Sequence, residues 1–268
     1  MDRLDAASMA VPGVEVRVVD RCASTNTVLL ESNPNAGPVL LAADIQTAGR
    51  GRRGRRWLSD PAGGITFSLA LRVARPAREL AALSLVAGVA VARTMRALGI
   101  NAALKWPNDL EAAGGKLGGI LVETRGVQDG RRREGGSLAV IGIGINYRAD
   151  PALAVNLRRR IACISELLSP APQRVRVIQG CTVALLEALA AFESRGLDAV
   201  REEWLALHAH AGQRLRVRLA DGRMVTGIAD GLAENGGLQL RTRMGLRAVH
   251  SGRVVSARIA TATGPGAA

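Results

Sequence analysis

The chain has almost no lysine. Of its 268 residues only Lys105 and Lys116 are lysines, eleven positions apart, while arginines number 34. Arginine is a wide planar fork and lysine a compact ammonium on a flexible stem, so the two are not interchangeable. A sequence that writes its positive charge as arginine, yet keeps these two ammoniums, marks both as needing a small cation in a confined space. Aromatic residues are also scarce, at 2%, while 48% of the chain is hydrophobic, mostly Ala, Leu and Val. That balance excludes a disordered chain and predicts a globular aliphatic core. The three cysteines, Cys22, Cys163 and Cys181, are far apart and lack paired metal-ligand spacing. They read as free thiols in a reducing cytosol. The longest apolar run, Ala81 to Ala92, falls short of the ~20 residues that span a bilayer. Met1 to Asp5 is acidic and unlike a signal peptide. A cytoplasmic protein with no membrane partner is expected.

What is present starts with charge. The formal net charge of +13 suggests a polyanionic partner, such as nucleic acid, a phosphorylated ligand or an acidic protein, although the arginine bias inflates it. The length fits one large and one small domain. Glu15 to Asp20 reads as a strand, and Ser24-Thr25-Asn26 supplies helix N-cap chemistry before Thr27 to Ser32. Val39 to Ile45 and Ile65 to Val73 read as strands. Pro76 opens a helix to about Leu98, with Gly99 as its C-terminal cap. Strands follow near Ala103 to Trp106, Leu117 to Thr124 and Ser137 to Asn146, with an exposed hairpin loop at 125–136. Helices fill Ile161 to Leu207, and His208 and His210 extend the last of them on different sides, which argues against a shared metal. After His210, short strands at Leu215–Leu219, Met224–Ala229, Leu238–Arg241 and Arg253–Ile259 alternate with Asp221-Gly222 and Asn235-Gly236-Gly237 turns. They predict a small β-barrel over 211–268 behind a large domain over 1–210, with 261–268 frayed. Without a βαβ rhythm, the large domain is expected to be α+β.

Gly49-Arg50-Gly51-Arg52-Arg53-Gly54 matches the dinucleotide fingerprint as a string, but the turn-like Arg55 to Pro61 follows it where that fingerprint needs a helix. Alternating glycine and arginine has another physical sense. Glycine lets backbone approach a ligand, and arginine donates in pairs to carboxylate or phosphate. Five arginines lie at positions 50, 52, 53, 55 and 56. Their mutual repulsion predicts a mobile loop that an anionic ligand orders.

Four segments in this order, Gln46 to Trp57, Lys105-Trp106-Pro107-Asn108-Asp109, Gly115 to Glu123 and Gly142 to Asn146, closely resemble the signature of biotin protein ligases. The resemblance covers roughly residues 15 to 148, and Ser24-Thr25-Asn26 stands where that family carries its first biotin-contacting segment. It implies a class II synthetase-like mixed sheet with helices and a C-terminal SH3-like barrel. It also implies ATP-dependent biotinylation of a lysine on a biotin carboxyl carrier protein, or the carrier domain of a biotin-dependent carboxylase, through biotinyl-5′-AMP.

By the same resemblance Ser24, Thr25, Asn26, Gln46, Arg50, Gly51, Arg52, Lys116 and Gly119 hold biotin. Trp57, Asn108, Asp109 and Asn146 hold ATP, Asp109 binds Mg²⁺, and Lys116, Arg52 and Lys105 serve the chemistry. Lys105 neutralises the phosphates or orients Asp109, and Trp57 and Trp106 stack on adenine or wall the pocket. Two rivals stand beside this: a lipoate-type ligase or acyltransferase, and a nucleic-acid-binding regulator. The roughly twenty residues before Ser24 are too few for a helix-turn-helix, so a short form without a DNA-reading module and without a specific DNA partner is expected. A homodimer stays open.

Overall fold

A computed structural model of the chain describes residues 3–32, 37–58, 63–126, 136–149 and 160–258. Most of the expected hairpin loop at 125–136, the tail from 259 and residues 59–62 lie outside the described residues.

The first sheet is built from β1 (Glu15–Cys22), β2 (Val39–Gln46), β3 (Gly64–Val73), β4 (Ala103–Lys105), β5 (Asp109–Ala112), β6 (Gly115–Gly126) and β7 (Ser137–Asn146). Its seven strands run in the order β1-β2-β3-β7-β6-β5-β4. Only β1 and β2 are parallel; every other pair is antiparallel. The expectation of an α+β mixed sheet with helices therefore holds. β5 was not expected, because Asn108-Asp109 reads as a turn; Asp109 is in fact the first residue of a short hairpin strand.

Strand alternation gives the sheet two unlike faces. Leu40, Ala42, Ile65, Phe67, Leu69, Ala139, Ile141 and Ile143 lie in the main core. Over that core pack the helices α2 (Leu83–Ala97), α3 (Ile164–Leu167), α4 (Arg174–Arg195) and α5 (Arg201–Leu207). α2 packs on α4 and β6, and α4 also meets β3. A 3-10 turn over Ala77–Ala82 precedes α2 in place of the continuous helix expected from Pro76, and Gly99 closes it with φ 93°. Residues Ala77–Ala97 and Arg174–Ala199 have the length and mean hydropathy of a membrane span, 1.4 and 1.6. Burial within the protein accounts for that apolarity, since 67% and 50% of an 18-residue apolar stretch in each is inside it.

The opposite face carries α1 (Thr25–Ser32). Leu29 packs there on Val39, Leu41, Ala70, Leu138 and Val140. Along the same face the side chains then shrink. One row across the strands reads Leu41, Ser68, Gly142, Leu121; the next reads Ala43, Thr66, Gly144, Gly119. Replacing large aliphatics by serine, threonine and glycine at matched register leaves a hollow in an otherwise close-packed layer.

A second, five-stranded antiparallel sheet holds β8 (Arg214–Leu219), β9 (Met224–Leu232), β10 (Leu238–Thr242), β11 (Gly245–Val249) and β12 (Gly252–Arg258), in the order β11-β10-β9-β8-β12. β11 escaped sequence analysis because four of its five residues are exposed, which leaves no apolar alternation to read. The aliphatic core continues from the first sheet into Leu215, Val217, Leu238 and Leu240 of the second. Trp106, 3% exposed, donates its indole N–H to the Gly236 carbonyl at 3.2 Å, so it is a joint between the sheets, and it also lines a cavity beside Lys105.

Candidate functional site

The hollow beneath the start of α1 is a cavity of about 440 Å³. Of the fifteen positions singled out from the sequence, all but Lys105, Trp106 and Asn146 line it. Two residues that bond to the lining went unassigned, Ser68 beneath the floor and Glu123 beside it.

The floor is a chain of hydrogen bonds. Gln46 Oε1 accepts from the Thr25 backbone N–H at 2.9 Å and lies 3.2 Å from Thr25 Oγ1. Thr25 Oγ1 is 2.6 Å from Ser68 Oγ, which donates to Asn26 Oδ1 at 2.6 Å. Asn26 Nδ2 then donates to the Leu121 carbonyl at 3.2 Å and to Glu123 Oε2 at 2.9 Å. Thr25 and Asn26 are each 3% exposed and Ser68 is wholly buried. Uncharged polar groups are kept at such depth only when bonded, so this network is a preset surface. Neither the Thr25 nor the Asn26 side chain caps the helix; the fold spends both on the cavity. Asn26 has its oxygen and its amide nitrogen both engaged within the protein.

Glycines in β6 and β7 make the room. A Cβ at Gly142 would overlap the Asn26 amide, and one at Gly144 would overlap the Trp57 ring. Trp57, delivered by the basic loop, lies across this strip with its indole N–H buried and unbonded among the described residues.

The loop over the cavity mouth contains a short 3-10 turn, Arg52–Gly54, closed by a bridge between Arg50 and Arg56. Arg50 Nη2 donates to Glu123 Oε2 at 2.7 Å. Arg52 donates to Asn108 Oδ1 at 3.3 Å, and Arg53 to Ser251 Oγ of the second sheet at 3.2 Å. Arg55 and Arg56 donate to the carbonyls of Arg52 and Thr47. Burial holds the Arg52 guanidinium below its ordinary pKa, and the charges of Arg53 and Arg55 push the same way against the pull of Asp109.

Opposite the loop, the β5–β6 hairpin brings Asp109 and Lys116 into an ion pair. The Lys116 side chain is 11% exposed, and its Nζ stands 5.7 Å from the centre of the Trp57 ring. A Cβ at Gly119 would come within 3.1 Å of that Nζ, so the glycine keeps the ammonium's space open. Asn108 Nδ2 donates to the Ile120 carbonyl at 2.7 Å, which fixes its oxygen toward Arg52.

Two expectations change. Lys105 does not orient Asp109: its Nζ bonds Glu111 Oε1 at 2.9 Å, and it lines an adjoining cavity of about 410 Å³ with Arg160 and Arg218. Asn146 ends β7 by donating to the Lys116 carbonyl at 2.8 Å and does not line the main cavity. In addition, Arg253 of β12 reaches both cavities, a contribution from the second sheet that no motif announced.

The histidines lie beyond α5, not on it. Burial, and then the charge of His210, pushes the His208 pKa down to about 4. Among the described residues no group of three or more His, Cys, Asp or Glu side chains is placed to hold a metal ion.

Residues 18–146 match the family described as Biotin/lipoate A/B protein ligase, and residues 210–255 match the Biotin protein ligase C terminal domain. The chain is 32% identical over 236 residues to the bifunctional ligase/repressor BirA of Bacillus subtilis (strain 168), covering 87% of this chain and 71% of that one. It is 32% identical over 252 residues to the biotin--[acetyl-CoA-carboxylase] ligase of Mycobacterium tuberculosis, covering 91% and 90%. Among solved structures, the biotin protein ligase from Aquifex aeolicus in complex with biotin and ATP superposes with a TM-score of 0.75 at 29% identity, covering 92% of this chain and 99% of that one.

Proposed function

Because this chain belongs to the biotin/lipoate A/B protein ligase family and is a biotin protein ligase, we propose that it joins biotin to a lysine of a biotin carboxyl carrier domain by way of biotinyl-5′-AMP. A biotin carboxylate oxygen attacks the α-phosphorus of ATP, the bond to the bridging oxygen breaks, and pyrophosphate leaves. The acceptor amine, having lost a proton, then attacks the activated carbonyl; an amide forms and AMP departs. The observation that carries this reading is a single cavity with an uncharged hydrogen-bonding floor and a cationic mouth. A ureido head needs the first, and a carboxylate meeting a triphosphate needs the second.

In this reading Ser24, Thr25 and Gln46 bond the ureido group, while Asn26 holds the floor in shape. Arg50, Gly51 and Arg52 cover the carboxylate and the adenylate, and Gly119 leaves space for them. Lys116 follows the oxygen whose bonding changes, which a point charge does better than a rigid fork. Trp57 offers its ring to the adenine. Asn108 and Asp109 place the nucleotide, and Lys105, with Arg253 of the 211–268 domain, faces the outer phosphates.

Mg²⁺ fits the donor set present. The ion takes one or two carboxylates and completes its shell from phosphates and water, and Asp109 is the carboxylate on the cavity wall. Magnesium bound there would offset phosphate charge.

The floor also separates biotin from lipoate, which has no ureido group to use these partners. Incubation with biotin, ATP and a carrier domain, read by avidin blot, should label the carrier lysine; pyrophosphate should be released with biotin and not with lipoate. Release with lipoate alone would replace this reading with the rival one.

A further inference from the structure

Glu123 joins the floor of the cavity to the loop above it. One oxygen, Oε2, accepts from the buried Asn26 amide at 2.9 Å and from Arg50 at 2.7 Å. Register puts Glu123 on the same sheet face as Leu121 and Gly119, so its side chain rises from the sheet beside the hollow. Among the described residues it is the only carboxylate ion-paired with any of the five loop arginines. The other four rest on amide, hydroxyl or backbone oxygens, which carry no full charge.

We infer that Glu123 is the positioning residue of the loop: it holds Arg50, and through it residues 50–56, over the cavity before any anion arrives. The physical reason is repulsion. Five guanidiniums in seven residues push the loop outward, and one fixed counter-ion offsets part of that push. A loop already in place loses less freedom when ligand binds. Because Asn26 Oδ1 is held by Ser68 and its Nδ2 by Leu121, the carboxylate is aimed by a buried network and not by solvent. That separates this pair from an ordinary surface ion pair, which contributes little.

The test is Glu123→Gln, which keeps an acceptor for Asn26 and removes the charge facing Arg50. The first readout needs no ligand. Trypsin should cut the variant within residues 50–56 about five times faster than wild type, with cleavage elsewhere and the urea midpoint unchanged. Equal cleavage in the loop would overturn the inference. So would faster cleavage everywhere together with a lower midpoint, because that outcome describes a merely structural glutamate.

The second readout rests on the proposed function. Biotin dissociation should accelerate roughly fivefold in Glu123→Gln and equally in Arg50→Met, and the double variant should be no faster than either alone. Glu123→Asp should recover part of the loss. Additive effects, or an unchanged rate in Glu123→Gln, count against the pin. If wild-type protein fails to bind biotin, the ligase reading fails instead, and the trypsin result still decides the role of Glu123.

Discussion

Thr25, Asn26 and Ser68 at the floor of the cavity are uncharged, almost fully buried and bonded to one another. Arg53, Arg55 and Arg56 at its rim are exposed, cationic and bonded only to neutral oxygens. The floor commits its hydrogen bonds within the fold, so it can discriminate by shape and partner and pays little on binding. The rim leaves charge uncompensated, so it attracts anions but needs a ligand, or Glu123, to hold it together. In the proposed reading, selectivity for the vitamin and grip on the reacting phosphates fall to different chemistries, with Lys116 between them.

The sharpest break in that division is Lys116→Arg. The Lys116 ammonium stands between Gly119 and the Trp57 ring, and in the proposed reading a rigid guanidinium fork follows the transferring oxygen less well than a point charge does. Biotin-dependent exchange of pyrophosphate into ATP should fall by roughly 100-fold, with the thermal midpoint retained. Wild-type exchange would remove Lys116 from its proposed place.

Gly142→Ala attacks the floor alone. Its methyl overlaps the Asn26 amide, so the network must shift at a cost of about 1–3 kcal/mol of stability. Biotin affinity should drop about tenfold while ATP affinity, measured separately, holds. Equal losses for both ligands would mean that floor and rim are not separable.

Arg52→Gly attacks the rim alone. Biotin binding should weaken by less than about tenfold, because the cover over the carboxylate is lost while the floor contacts stay. The adenylate should escape and label bystander lysines on an added protein, visible by avidin blot. Labelling confined to the carrier would show that the loop does not retain the intermediate.

A separate effect lies away from the cavity, at His208. Its folded pKa, about 4, is below the ordinary 6.5, so the unfolded chain binds more protons between those values. Stability should therefore be full above pH 6.5, fall as pH drops toward 4, and level off below. Between pH 7 and 5 the loss is on the order of 2 kcal/mol, read from urea midpoints, and His208→Phe should flatten its share of the slope.

Much of the site could be read along the chain because it sits in contiguous motifs with an unusual lysine content. Residues 24–26, 46–57, 105–109 and 115–119 stand out through the resemblance to biotin protein ligases, and the two lysines and the glycine-arginine run through residue type alone. Ser68 was not, although a signal existed: Thr66 and Ser68 interrupt one phase of a buried strand whose other phase is Ile65, Phe67 and Leu69. Glu123 sat inside a recognised motif without a role, since nothing local says that Arg50, 73 residues earlier, needs a counter-ion. The resemblance offered Lys105 as a residue that neutralises the phosphates or orients Asp109. Strand register sets Lys105 opposite Asp109 and Glu111 opposite Lys116, yet the ion pairs run diagonally, Lys116 to Asp109 and Lys105 to Glu111.

The amino-acid sequence by itself determined the mixed α+β character, the second group of short strands and the chemistry gathered at the cavity. Hydrophobic period, turn residues and ligand-facing motifs are local properties and survive in one dimension. Only the tertiary structure decided which polar side chains share hydrogen bonds, that Trp106 joins two sheets, and that Arg253 reaches the site from the far end of the chain. Those outcomes depend on strand register and sheet order, which fix side-chain meetings between residues that no local pattern connects.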